Sequence, residues 1–292
     1  MDLMNSVKDY VNQPFPLWEC VITERLVEKK WEDLKKNKIA DLNDYTTVRA
    51  FEDPNAPIGT RFPISIPNYK DSEIIYLEVS AFDRLNNFYQ EHGLELYTEL
   101  ELEENAVMAK LANAMKMFSP VESVSLCITK LVRSIQILKQ EDSEIDMSYS
   151  HPKIPFSIFL SVCPDSSPLS CLRIAESILH EAMHLKLTLI ENVLPLIQPG
   201  ATGLFFSPWR EEKRPAQGVI HGLFVFRAVW DYLNLIAQAF ESDQVLDHIY
   251  TRKEQIAFEF EQIRDFTSCP DLTEPGAILA QNLLDPIQYS VK

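Results

Sequence analysis

Apolar residues recur along most of this chain at intervals of three and four, the spacing that lines one face of an α-helix. The first such segment covers about 17–42, where Val21, Leu26, Trp31 and Leu34 form the apolar stripe and charged residues fill the opposite face. Residues 51–72 hold Pro54, Pro57, Gly59, Pro63 and Pro67 and read as an extended loop. The short run 74–79 reads equally as a strand or a helix start. Helical spacing returns over about 81–140, broken near Gly93 and Pro120, and its acidic run Glu99, Glu101, Glu103, Glu104 reads as a solvated face. Residues 155–162, Pro-Phe-Ser-Ile-Phe-Leu-Ser-Val, give the clearest strand signal. A long apolar helix is expected from Pro168, capped by Ser167 and uninterrupted until Pro195. An aromatic loop over 195–217 and a second apolar helix over 218–240 follow. No internal repeat or low-complexity tract occurs. The pattern predicts a mainly α fold: a single helical domain over 1–292 with one or two short β-strands. Its N-terminal part, 1–150, is expected to be mainly helical, and 151–292 to carry the chemistry.

Composition narrows the class. Of 292 residues 46% are hydrophobic and 10% aromatic, enough for a sizeable core. The net charge of -16 repels phosphate backbones and anionic lipid, so neither nucleic acid nor a membrane is an expected partner. The five cysteines, Cys20, Cys127, Cys163, Cys171 and Cys269, are odd in number and widely spaced without a Cys-x-x-Cys. That argues against a disulfide framework or a thiolate zinc site. The first residues lack the basic start and apolar run of a signal peptide. The charge-free stretch 192–209 is broken by Pro195, Pro199, Gly200, Gly203 and Pro208. The 218–240 helix carries His221, Arg227, Asp231 and Asn234, so it reads as buried and not as a membrane span. The expected location is cytoplasmic.

The chemistry concentrates in His180-Glu181-Ala182-Met183-His184 on the long helix. Residues four apart stand one turn apart on one face, so His180 and His184 can point nitrogens at one cation. Two imidazoles at about 2.1 Å suit a first-row divalent metal such as zinc or iron. Two polar rings on an apolar helix would otherwise each need a separate buried partner. Glu181, offset around the helix, can reach a metal-bound water as general base.

A third ligand is needed. His184 is followed by Leu185-Lys186-Leu187-Thr188, which lacks the metzincin continuation. Glu191 lies only seven residues on along the same helix, and Glu211 and Glu212 sit in the charged segment 209–214. The better candidate is His221, near the start of the next apolar helix, where Gly222 would allow close approach to the motif helix. His92, His151 and His248 stand in polar or loop contexts and are weaker candidates.

The segments Leu179-His180-Glu181-Ala182-Met183-His184-Leu185-Lys186, Ser207-Pro208-Trp209-Arg210, Arg214-Pro215 and Gly218-Val219-Ile220-His221-Gly222 together resemble the HExxH-type peptide β-hydroxylases. These are 2-oxoglutarate-dependent iron enzymes that modify ribosomally synthesised peptides. The match covers roughly 179–226, and the N-terminal half shows no matching motif. The resemblance implies iron(II) held by His180, His184 and His221, with 2-oxoglutarate and dioxygen as co-substrates. It implies hydroxylation at the β-carbon of a residue in a ribosomally made precursor peptide. The usual iron oxygenase triad has two histidines and one carboxylate. No His-x-Asp or His-x-Glu occurs here, so an all-histidine triad, or participation by Glu181, is assumed.

The distal carboxylate of 2-oxoglutarate calls for an arginine fork. Arg214, seven residues before His221, is the first candidate; Arg210 is the second, and Arg173 and Arg227 are outside choices. The aromatic run Leu204-Phe205-Phe206-Ser207-Pro208-Trp209 is expected to line the pocket. Two other classes remain open: a zinc metallopeptidase with Glu181 as base, and a non-catalytic protein with a structural or vestigial site.

Overall fold

The computed structural model describes residues 2–13, 16–36, 45–47, 49, 59–64, 74–79, 82–140 and 145–285. Helices Leu3–Val11 (α1) and Cys20–Lys36 (α2) come first, then strands Arg61–Ile64 (β1) and Ile75–Glu78 (β2). Helices Phe82–Glu91 (α3), Glu99–Glu104 (α4), Val107–Lys116 (α5) and Glu122–Leu131 (α6) follow. Strands Ser134–Ile137 (β3), Ser148–Ser150 (β4) and Ser157–Leu160 (β5) lead into the motif helix Pro168–Glu191 (α7). The hairpin Leu204–Ser207 (β6) and Glu212–Pro215 (β7) precedes helices Ala216–Ile236 (α8), Asp243–Glu261 (α9) and Glu274–Leu284 (α10).

Seven short strands overturn the expectation of a mainly α domain with one or two strands: the chain is α/β. Five strands form one mixed sheet in the order β1-β2-β3-β5-β4. Its interior pairs, β2 with β3 and β3 with β5, are parallel, while β1 and β4 lie antiparallel at the two edges. Strand β3 falls inside the segment 81–140 that helical spacing had claimed. All four of its residues are buried, so both faces are packed. Ile135 and Ile137 enter the core, while Ser134 Oγ donates to Glu78 Oε2 (2.6 Å) and Gln136 Nε2 donates to Thr47 Oγ1 (2.7 Å). A strand of four residues is too short to dominate a periodicity window, and its partners are distant in sequence. The ambiguous run 74–79 is strand β2, and the signal over 155–162 is strand β5. The loop predicted over 195–217 contains the β6–β7 hairpin. Most of the extended loop expected over 51–72, and residues 37–42 of the first predicted helix, lie outside the described residues.

Helix α7 begins as its sequence requires. Ser167 Oγ accepts from Ser170 N (3.1 Å) and Pro168 occupies the first turn. The helix is buried on most of its circumference. It packs on β4 and β5 of the sheet, on α2, α5 and α6 from the N-terminal half, and on α8 and α9 from the C-terminal half. One continuous apolar core runs from Val7 to Leu284, and the sheet takes strands from both sides of residue 150. On the back of α7 the fully buried Lys186 donates Nζ to the carbonyls of Leu17 (2.6 Å) and Glu19 (3.0 Å). It thereby ties the segment ahead of α2 to the motif helix, and burial pushes its pKa down. The stretch Ala216–Ala239 is long and apolar enough to cross a membrane, but 72% of its most apolar window is buried against the rest of the fold. All five cysteines are free.

Candidate metal centre

Helices α7 and α8 bring His180, His184 and His221 together. The Nε2 atoms of His180 and His184 lie 3.2 Å apart, and Nδ1 of His184 lies 3.1 Å from Nδ1 of His221. Two imidazole nitrogens that close repel unless a proton or a cation stands between them. Burial pushes the pKa of His180 down to about 3, assisted by the charges of Arg252 and Arg210. The same desolvation, with the two neighbouring rings, holds His184 well below its usual value. Both rings are uncharged at neutral pH and hold a lone pair, the form in which imidazole binds a metal.

The spacing of the first pair fits one cation, because two ligands at about 2.1 Å and roughly a right angle stand about 3 Å apart. The third ring is less directly placed. His184 turns its Nε2 to His180 and its Nδ1 to His221, so as the rings are oriented no three donors among the described residues share one point. His180 and His184 therefore fit one first-row divalent metal as a pair, with the His221 ring beside them through His184.

Glu191 completes the cluster in a role that spacing alone did not assign. Nε2 of His221 donates to Glu191 Oε2 at 3.0 Å. A neutral His221 bonded this way carries its lone pair on Nδ1, the nitrogen that faces His184. Glu191 lies on the motif helix, so the same helix supplies two imidazoles and the carboxylate that orients the third. Glu211 and Glu212, the alternative ligands, are exposed at the hairpin end and make no bond to the imidazoles.

Glu181 points toward the sheet edge. Ser148 Oγ donates to Oε1 at 2.6 Å. Oε1 stands 3.9 Å from His180 Nε2. Burial raises the Glu181 pKa to about 7, against the pull of Ser148, Ser150 and Arg210. Ser148 and Ser150 had no sequence signal, since their proximity depends on β4 pairing with β5.

The hairpin closes over the other side. A Cβ on Gly222 would overlap Cε3 and Cζ3 of Trp209. What approaches the helix at this glycine is therefore the hairpin's tryptophan, and not the motif helix as spacing suggested. Trp209 stacks on Phe226, one turn along α8 (5.2 Å, 18°), and Phe226 meets the His180 ring edge-on (5.0 Å, 67°). Arg210 is exposed, yet its charge reaches Glu181, His180 and His184. Arg214 pairs in register with Phe205, lies over Gly218 and bears on His184. Its nearest carboxylate, Glu212, is 3.9 Å away and largely exposed, so the pair is weak. The two outside arginines are engaged elsewhere: Arg173 with Asp146 (2.9 Å), and Arg227 with Asp231 (3.1 Å) and the carbonyl of Leu283 (2.9 Å). Sequence reasoning also missed Arg252, whose guanidinium lies 5.2 Å over Phe226 and whose Nε stands 3.8 Å from Glu176. Glu176 in turn bonds His248 at 2.7 Å.

No protein-family model matches this sequence, and no curated protein matches it significantly.

Proposed function

We propose that the protein is an iron(II)- and 2-oxoglutarate-dependent oxygenase that hydroxylates the β-carbon of a residue in a ribosomally made peptide. The observation that carries this reading is the three-imidazole cluster with Arg210 and Arg214 of the hairpin beside it. His180, His184 and His221 would hold the metal, with Glu191 orienting His221. Iron(II) bound there would supply the chemistry by which dioxygen oxidises 2-oxoglutarate to succinate and carbon dioxide and leaves one oxygen atom on the peptide. Arg214 would pair the distal carboxylate of 2-oxoglutarate bidentately, with Arg210 as the alternative. Trp209 and Phe226 would wall the site against water. Glu181, held by Ser148, would orient a ligand on the sheet side. The deciding experiment measures succinate release from 2-oxoglutarate in anaerobically purified protein loaded with iron(II) and then exposed to dioxygen. Absence of succinate under every peptide and iron condition overturns the reading.

One observation favours a second reading. The buried Glu181 carboxyl stands 3.9 Å from His180 Nε2, within reach of a water on a metal held by the pair, where a general base would act. A zinc metallopeptidase with Glu181 as base would use it so. Peptide hydrolysis with zinc alone, under nitrogen, would establish that reading in place of the oxygenase.

A further inference from the structure

The edge strand β4 stands beside the imidazole cluster, and its outer backbone groups have no partner among the described residues. In an antiparallel ladder, residues alternate between pairs that exchange hydrogen bonds and pairs that do not. Ser161 N donates to the carbonyl of Met147 (2.8 Å), which makes Met147 and Ser161 a bonded pair. The register pairs Ser148 with Leu160, Tyr149 with Phe159 and Ser150 with Ile158. Tyr149 is therefore the next bonded residue, and the backbones of Ser148 and Ser150 point away from β5. The partner strand agrees, because the carbonyl of Leu160 accepts from Leu138 N (2.9 Å) on the β3 side. The two N–H and two C=O groups of Ser148 and Ser150 have no partner among the described residues, and all three residues of β4 are half-exposed. Exposed Ile145 and Met147 lead into the strand.

The pleat sets what such an edge would present. Ser148 turns its hydroxyl to Glu181 (2.6 Å) and Ser150, two residues on, shares that face, while Tyr149 faces the other way and bonds His92 Nδ1 (2.9 Å). Residues directly opposite one another across a ladder share a face of the sheet. A strand paired to Ser148 and Ser150 would thus project the side chains opposite them onto the face that holds Glu181 and His180. Its intervening residue would project toward Tyr149.

We propose that an extended peptide segment adds to the sheet at the free edge of β4, through up to four main-chain hydrogen bonds to Ser148 and Ser150. This placement aims alternate side chains of the peptide at the metal cluster. It rests on the reading of the protein as acting on a peptide. The occupant is a peptide because alternating outward donors and acceptors on a strand edge are complemented by another peptide backbone. Recognition through backbone tolerates varied side chains, and the pleat selects which of them meet the metal.

The test needs neither iron nor dioxygen, so its outcome is separate from that of the succinate assay. The probe is a twelve-residue peptide selected on the full chain from a random library, its affinity measured by fluorescence anisotropy under nitrogen. A backbone N-methyl scan of that peptide removes one donor at a time. Weakening of about threefold to tenfold is expected at positions two apart, with little effect at the residues between. Ser150→Pro removes an outward N–H without touching the β4–β5 ladder and should bind about tenfold more weakly than Ser150→Ala, which keeps that N–H. Should Ser150→Pro fail to fold by circular dichroism, the N-methyl scan alone decides. Amide exchange at Ser148 and Ser150 should slow about tenfold or more when peptide is added. An N-methyl scan without a two-residue period, equal binding by a folded Ser150→Pro, or failure to select any peptide overturns the proposal.

Discussion

Glu191 and His221 meet across two helices, the carboxylate oxygen accepting from the ring Nε2 at 3.0 Å. The bond leaves Nδ1 of a neutral His221 facing His184, so the carboxylate would act on a metal held there through the ring it orients. Glu191→Ala should weaken iron(II) or zinc binding about 10- to 100-fold in a chelator competition, and replacing His180, His184 or His221 singly by Ala should weaken it by roughly tenfold or more. Undiminished affinity in Glu191→Ala would show that His221 keeps its orientation unaided. Full metal occupancy in His221→Ala would place that ring outside the coordination shell.

The buried Glu181 makes the stability of the metal-free protein depend on pH in a stated direction. Its folded pKa is raised from 4.5 to about 7. Between those values the folded protein keeps a proton that the unfolded chain has released, so the contribution of Glu181 falls as pH rises. Burial of the charged form then costs on the order of 3 kcal/mol above pH 7. Glu181→Gln removes this dependence. Urea unfolding in the presence of chelator should find the variant gaining on the parent protein from pH 4.5 to 7.5. His180 and His184, whose lowered pKa values act in the opposite sense, are common to both proteins and cancel. A constant difference across that range would mean that Glu181 is not buried as the fold places it.

Arg214 lies over the first turn of α8 and carries only a weak exposed pairing with Glu212. Arg214→Ala and Arg214→Lys should both raise the apparent KM for 2-oxoglutarate, by roughly ten- to two-hundredfold, with a smaller effect on the peptide. A large effect in Arg210→Ala with none in Arg214→Ala would move the role four residues back. No effect in either would remove the hairpin from carboxylate recognition.

Gly222 makes room for Trp209, and Trp209 supports Phe226 against His180. Gly222→Ala should displace the tryptophan, red-shift its fluorescence and destabilise the fold by about 1–3 kcal/mol. The double variant Gly222→Ala/Trp209→Ala should be less destabilised than the two single changes summed, because the clash requires both groups. Strict additivity would place the Trp209 ring elsewhere.

Much of the site was legible in sequence because it is local. His180 and His184 share a face at any position in a helix, and Ser167 and Pro168 announce that helix through capping chemistry that needs no distant partner. His221 and the Arg210 and Arg214 pair stood out by their chemistry on a second apolar helix and the loop ahead of it. The sheet was mostly hidden. Ser134-Ile135-Gln136-Ile137 alternates as a strand should, but its polar residues are as buried as its apolar ones, bonded to Glu78 and Thr47. A pattern that separates core from solvent cannot report a strand with no solvent face.

The sequence by itself determined a long buried helix with an i,i+4 histidine pair, a second apolar helix with a third histidine, and a surface charge that repels polyanions. Backbone geometry and composition are enough for each of these. Tertiary structure alone decided that five short strands gather into one sheet, that Glu191 bonds His221, and that Ser148 bonds Glu181. It also decided that Trp209, and not the motif helix, fills the space at Gly222. Those facts depend on contacts between residues far apart in sequence, whose formation follows from packing the whole core and leaves no periodic trace in any one segment.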